Sequence, residues 1–96
     1  MKINWNKYTL FQQKVYRAIL RIPKGQVWTY TQVARKIGQP KAARAIGQAM
    51  KRNQDAPDIP CHRVVSSSGL GGYSARGGLR TKKKLLKQEG YLINSK

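Results

Sequence analysis

The sequence predicts a mainly α-helical fold with short extended segments, of the winged-helix-like helix-turn-helix kind. Three observations predict it. Apolar residues recur at helical spacing in four separate stretches. Two of those stretches are short, adjoin each other and are separated by a glycine, as in a helix-turn-helix. Elsewhere the chain offers only brief apolar runs bounded by Gly, Pro, Asn and Ser, which allow strands of a few residues. At 96 residues the chain suits one small domain, 1–96, with a modest core. No internal repeat and no domain-scale linker interrupts it.

Residues 1–7 are polar with isolated aromatics and are expected to form a flexible arm. In "TLFQQKVYRAILRI" (9–22) Phe11, Val15, Ala18, Ile19 and Ile22 share one helical face. Thr9 suits the N-cap and Pro23 follows the end. A turn is expected at Lys24-Gly25, then a short extended piece over 27–29. Thr29 and Gln32 have capping-box spacing for a second helix, with Val33, Ala34 and Ile37 inward and Gly38 as its stop. Pro40 suits the first turn of a third helix, "QPKAARAIGQAMKRN". Ala42, Ala45, Ile46, Ala49 and Met50 should face inward there, while Lys41, Arg44, Gln48, Lys51 and Arg52 point elsewhere. Small residues crowd this helix, which fits either close helix packing or close approach to a DNA groove. "RNQDAPDIP" reads as a loop. A short apolar piece and a Ser/Gly-rich loop follow, and "GGLRTKKKLLKQEG" closes as a helix. Its Leu79, Leu85 and Leu86 should point inward and Lys82, Lys83, Lys84 and Lys87 outward, with Glu89 in its last turn and Gly90 as its stop.

Charge narrows the function. Twenty Lys and Arg face three acids, a net charge of +17. Such imbalance opposes compaction by self-repulsion, so a polyanionic partner, nucleic acid above all, is expected. A single cysteine and a single histidine exclude an internal disulfide and a Cys/His metal cluster. There is no apolar run long enough for a membrane helix and no secretory signal pattern. A monomer in a reducing compartment is expected: cytoplasmic and nucleoid-associated, or nuclear in a eukaryote, with no membrane association.

That cysteine and that histidine are neighbours in "IPCHRVV" (59–65). A lone buried cysteine is usually a small inert hydrophobe. Here Pro60 fixes the backbone before Cys61, and His62 supplies a base near neutral pH. Glu89 is an acid in the last turn of a helix, where a carboxylate opposes the dipole. A Cys–His–Glu relay would account for it; a surface partner for a nearby lysine is the alternative. Neighbouring residues in extended chain point to opposite faces, so Cys61 and His62 need a local bend or a bridging water.

Together, "IPCHRVV", "KAARAIGQAMKRN" and "GGLRTKKKLLKQEG" resemble the active-site signature, recognition helix and closing helix of the alkylguanine-DNA alkyltransferases (methylated-DNA–protein-cysteine methyltransferases). The similarity runs from about Tyr8 to Tyr91. The resemblance implies the alkyltransferase type of DNA-binding and active-site domain, and single-turnover transfer of an alkyl group from O6 of guanine in double-stranded DNA to Cys61. It implies minor-groove binding, base flipping, and no cofactor or metal. His62 would take the thiol proton through a water, with Glu89 behind it. Arg44 would enter the base stack. Tyr30 would press on the lesion's phosphate and help protonate the leaving guanine. Lys41, Ala43, Gly47, Gln48 and Lys51 would complete the DNA face. Asn53 would tie the recognition helix to the active-site loop, and Met50, Val64, Tyr73 and Ser74 would line the base pocket.

The sequence departs from the family pattern in two respects. It is expected to begin almost at the DNA-binding domain, without the N-terminal domain usual there. In its glycine-rich loop Ala75-Arg76 precede Gly77-Gly78, and the stretch before Tyr73 is shortened. The chain's size also resembles the alkyltransferase-like proteins, which lack the cysteine, bind alkylguanine and flag it for excision-repair proteins. A non-catalytic sensor of that kind is the alternative function, and a plain helix-turn-helix DNA-binding module with a structural cysteine is the third.

Overall fold

Two threonines open the first two helices in the same way. Thr9 Oγ1 accepts from Gln12 N at 3.1 Å while Thr9 N donates to Gln12 Oε1 at 3.0 Å. Thr29 and Gln32 repeat the exchange at 3.1 and 2.7 Å. Each box satisfies donors that a helix start leaves unpaired. The computed structural model describes residues 3–67, 69–71 and 78–91. Its helices are α1 (Leu10–Ile19), α2 (Tyr30–Lys36), α3 (Ala43–Lys51) and α4 (Gly78–Gln88). Two strands, β1 (Trp28–Thr29) and β2 (Val64–Val65), pair in parallel with Trp28 opposite Val64 and Thr29 opposite Val65. Short 3-10 turns span Trp5–Lys7 and Cys61–Arg63.

Several boundaries differ from the sequence expectation. α1 stops at Ile19, and Ile22 is buried in a following turn. Pro23 disfavours the helical region for the residue before it, which ends the helix early. α2 ends in a Schellman motif: Gly38 has φ +75, Gly38 N donates to Arg35 O, and Gln39 N donates to Ala34 O. Pro40 lies in the turn that follows, and α3 starts only at Ala43. Ala45, expected inward, is exposed. In α4 the corrections are larger. Leu79 is 47% exposed and Lys82 is fully buried, the reverse of the expectation. Lys82 precedes Leu86 by four residues and Glu89 by seven, so helical spacing itself puts it on their face. The expected arm is folded back in its described part: Gln13 Nε2 donates to the Trp5 and Tyr8 carbonyls, and Arg17 stacks 4.3 Å over the Trp5 ring.

The core joins α1, α2 and α3 through Val15, Tyr16, Ile19, Val33, Ala34 and Ile46, and Ile59 and Val64 anchor the stretch 59–65 to it. Tyr16 Oη donates to the Ala49 carbonyl at 2.5 Å and ties α1 to α3. Burial pushes the Tyr16 phenol well above its ordinary value, so it stays a neutral donor. Tyr8 Oη donates to the Asp55 carboxylate and accepts from Gln54 N, fixing the loop after α3.

Candidate active site and nucleic-acid face

Three elements meet at the Cys61–Arg63 turn. β2 follows it and pairs with β1, which leads into Tyr30 at the start of α2. α4 packs against the turn by its inner face. Asn53, just past α3, reaches across with Nδ2 donating to the Ile59 carbonyl at 3.0 Å and Oδ1 accepting from Asp55 N at 2.9 Å. The 3-10 turn is the local bend that adjacent Cys61 and His62 required. Both side chains are buried, at 6% and 1% exposure.

Glu89 is the hub of the cluster. Its Oε2 lies 2.9 Å from His62 Nε2. Arg63 grips it in a fork, Nε to Oε1 and Nη2 to Oε2, both at 2.8 Å, and sends Nη1 to the Ile22 carbonyl at 2.8 Å. The acid's partners are therefore a histidine and an arginine of the Cys61–Arg63 turn rather than a surface lysine. The Arg63 fork, and then His62, hold the Glu89 carboxyl down to about 2. An ionised carboxylate takes a proton-bearing Nε2, which leaves His62 Nδ1 as the acceptor nitrogen. Nδ1 is buried and has no hydrogen-bond partner among the described residues. Burial lowers the His62 imidazole and outweighs Glu89, so it rests neutral at neutral pH. Burial also pushes the Cys61 thiol up, against the Asn53 amide and the Lys82 ammonium, which pull it down. At rest the cluster holds a thiol beside a neutral base.

Sequence reasoning missed two members of this site. Arg63 is the fork that fixes Glu89. Lys82 is buried and donates to the Val64 carbonyl at 2.8 Å and the Leu70 carbonyl at 2.5 Å. It joins β2 to the start of the glycine-rich loop. Desolvation lowers it to about 8, and the nearby Cys61 works against that. The periodicity of α4 could have placed Lys82 inward; nothing local in the sequence marks Arg63. One glycine is also required: Gly25 has φ +85, and a Cβ there would stand 3.1 Å from the Glu89 carbonyl.

The expected DNA-facing residues lie together on α3 and the turn before it. Arg44, Gln48 and Lys51 are exposed, with half-buried Ala43 and Gly47 between them, and Lys41 is exposed just before the helix. Ile46 and Ala49 occupy the opposite, buried face. Tyr30 is half-buried against the core, and a Cβ on Gly71 would stand 3.0 Å from its hydroxyl. Met50 packs on the core and Val64 is fully buried. Tyr73 and Ser74 lie outside the described residues. Among the described residues no cluster of His, Cys, Asp and Glu could hold a metal ion. No described helix is long and apolar enough to cross a membrane.

The family model described as 6-O-methylguanine DNA methyltransferase, DNA binding domain, matches residues 10–91. A methylated-DNA–protein-cysteine methyltransferase of Salmonella typhimurium is 46% identical over 86 residues, 88% of this chain and 49% of that protein. One of Methanosarcina acetivorans is 48% identical over 83 residues, 85% of this chain and 52% of its own length. This chain thus spans about half the length of the curated relatives it matches. Mycobacterium tuberculosis OGT, crystallised in complex with DNA, superposes with TM-score 0.81 at 46% identity over 86% of this chain and 50% of that one. S. pombe ATL, also in complex with DNA, gives TM-score 0.75 at 37% identity over 100% of this chain and 85% of that one. On sequence and fold alike, the chain belongs to the 6-O-methylguanine DNA methyltransferase family, through that family's DNA-binding domain.

Proposed function

We propose that this chain repairs O6-alkylated guanine in double-stranded DNA by transferring the alkyl group once to Cys61. The observation that carries the proposal is the buried Cys61–His62 pair with Glu89 locked on His62 Nε2. That contact leaves Nδ1 as a base with room in its hydrogen bonding for a proton donor.

A water linking Cys61 Sγ to His62 Nδ1 carries the thiol proton to the imidazole, which Glu89 steadies as it becomes cationic. The sulfur attacks the alkyl carbon, an S–C bond forms and the C–O6 bond breaks. Guanine leaves with the electron pair and takes a proton from Tyr30, which regains one from solvent while His62 releases the thiol's proton to solvent. Thiolate is a soft nucleophile suited to a saturated carbon, and the thioether has no easy hydrolytic exit. One molecule therefore acts once. Lys82, buried beside the thiol, favours the thiolate as it forms.

The target atom lies inside a duplex, so the nucleotide must flip out, at a cost of a few kcal/mol. α3 supplies the compensation: Arg44 enters the base stack, and Ala43 and Gly47 let the helix approach a narrow minor groove. Lys41, Gln48 and Lys51 contact the backbone. Asn53 couples α3 to the Cys61 turn. Met50 and Val64 border the base.

A second reading has one specific observation in its favour. The chain superposes on S. pombe ATL with TM-score 0.75 at 37% identity, and an S. pombe Atl1 structure holds damaged DNA containing O6-carboxymethylguanine. On that reading the chain binds alkylguanine without transfer. Intact-protein mass separates the two. With excess methylguanine duplex the protein should gain one methyl group, map it to Cys61 and then stop, while Cys61→Ser binds without gaining mass. Lesion-selective binding with an unchanged wild-type mass would establish the sensor instead.

A further inference from the structure

We propose that the outward face of α4 is a second nucleic-acid contact, taking backbone phosphates that lie away from the nucleotide held at Cys61. This rests on the DNA-binding reading above and adds a surface to it.

Arg80, Lys83, Lys84 and Lys87 are all exposed. Their spacing of three, one and three residues puts them within a single arc of about 100° on the helix. Lys82, Leu86 and Glu89 occupy the opposite arc, against the Cys61–Arg63 turn. A helix with its side chains is about 10–12 Å across, so the stripe cannot touch a base seated at Cys61.

By itself the stripe is unfavourable. Like charges three and four residues apart repel and oppose helix formation. Arg80 lies in the first turn, where a cation opposes the helix dipole and no acid offsets it. Glu89, the acid at the end of this helix, is turned inward to His62 and Arg63. Asp55 is engaged by Lys7. Among the described residues, no ion pair involves any of the four cations. A polyanion removes each of these penalties.

The dimensions favour nucleic acid. From Arg80 to Lys87 the helix rises about 10 Å. One strand of B-DNA carries a phosphate per about 3.4 Å of axis, so the stripe spans about three of them. A lipid surface fits poorly, because an interfacial helix offers its apolar face to the membrane and here that face is buried in the protein.

The phosphates can come from the flank of the same duplex or from a second duplex, and the experiment separates these. Lys83, Lys84 and Lys87 are changed together to Gln, which has similar helix propensity. The control changes the exposed Lys14, Arg21 and Lys24 to Gln, an equal loss of net charge on and after α1. The slope of log K against log salt is measured for both and for wild type, on methylguanine duplexes of about one and about three helical turns. The α4 variant should have a slope shallower than the control by about 0.9 to about 2.7, one to three phosphates. A difference confined to the longer duplex assigns the contact to the flank. A difference on both lengths, together with a fall from two bound duplexes to one by sedimentation, assigns it to a second duplex. If the α4 variant and the control have equal slopes on both lengths, the stripe makes no phosphate contact and the inference is overturned. If wild type itself shows no salt-dependent binding, the DNA-binding reading has failed instead.

Discussion

The cluster around Cys61 and the outer face of α3 use the same cations in opposite ways. Arg63 and Lys82 are withdrawn from water: Arg63 donates to the Glu89 carboxylate and the Ile22 carbonyl, and Lys82 to the Val64 and Leu70 carbonyls. Lys41, Arg44 and Lys51 stand in solvent, with no ion pair among the described residues. The first set was desolvated by folding and has to be balanced inside the protein. The second keeps its hydration until an anion replaces it. Damage to the first set should therefore appear in stability and in thiol chemistry. Damage to the second should appear in DNA binding and its salt dependence, with the fold intact.

Glu89→Gln is the strongest test of that division. It keeps the shape of the hub and removes the charge that orients His62 and answers Arg63. Transfer to Cys61 should slow by about 10²-fold or more, the range of a lost acid–base function, while DNA affinity stays near wild type. The fold should lose about 1–3 kcal/mol in urea titrations at neutral pH. Glu89 is held at about 2 in the fold against about 4.3 unfolded. Its contribution is thus complete above about pH 4.3 and is lost as pH falls toward 2. The gap between wild type and variant should close over that window. A gap that persists at the acid end, or a wild-type transfer rate, would show that Glu89 is not the charged hub.

Lys82→Met should come next. It leaves the Val64 and Leu70 carbonyls without their donor and removes a cation close to the thiol. A loss of about 1–3 kcal/mol is expected, with slower alkylation of Cys61 by iodoacetamide near neutral pH. Lys82 is lowered to about 8 in the fold, while an unfolded lysine titrates near 10.4. Between those values the unfolded chain binds the extra proton, so Lys82 makes wild-type stability rise with pH there. The raised Cys61 thiol slopes the other way in both proteins, and further so in Lys82→Met, where the ammonium no longer pulls it down, which widens the difference in the same direction. Equal pH slopes above 8 in wild type and Lys82→Met would mean that the lysine keeps an ordinary proton affinity.

The two regions were unequally legible in the sequence. The α3 face could be read because its partner is water: exposed Arg44, Gln48 and Lys51 follow from helical spacing alone. The capping boxes at Thr9 and Thr29 and the glycine stops at Gly38 and Gly90 were legible for a similar reason, since each is local chemistry. The cluster was legible only in outline. "CHR" with Glu89 marked a relay, but the grip of Arg63 on Glu89 spans 26 residues. A run of three lysines, Lys82 to Lys84, reads as a solvated surface, because burying a lysine is justified only by acceptors that the tertiary fold supplies. Those acceptors are backbone carbonyls, which no side-chain pattern encodes. α1 and α3 are shorter than the sequence suggests for simpler reasons: apolar periodicity continues through the turn that buries Ile22, and Pro40 stands in the turn before α3 rather than in its first turn.

Arg44→Ala moves to the second region. The fold should be unchanged, because Arg44 is exposed and its α3 neighbours Ile46 and Ala49 hold the helix in place. Transfer from duplex DNA should fall by about tenfold, one unit of 1.4 kcal/mol against a flipping cost of a few kcal/mol. Reaction with free alkylguanine base, which needs no flipping, should change by much less. Single-turnover rates on the two substrates give the ratio, and an equal loss on both would move Arg44 out of the base stack and into folding or thiol chemistry.

Lys51→Gln should have the smallest effect and draws the contrast most cleanly. Lys51 ends α3 in solvent, and its ammonium also favours the helix C-terminus. Removing it should cost the fold no more than about 0.5 kcal/mol, as for surface changes in general. On methylguanine duplex the slope of log K against log salt should become shallower by about 0.9, one phosphate's worth, with the same loss on undamaged DNA. Arg63→Gln, the same loss of one cation a short distance away in the buried cluster, should do the reverse. It should lower stability by about 1–3 kcal/mol by taking the fork from Glu89 and the donor from the Ile22 carbonyl, and leave the salt slope as it was. If Lys51→Gln destabilised the fold and Arg63→Gln changed the slope, burial would not be what divides the two sets of cations.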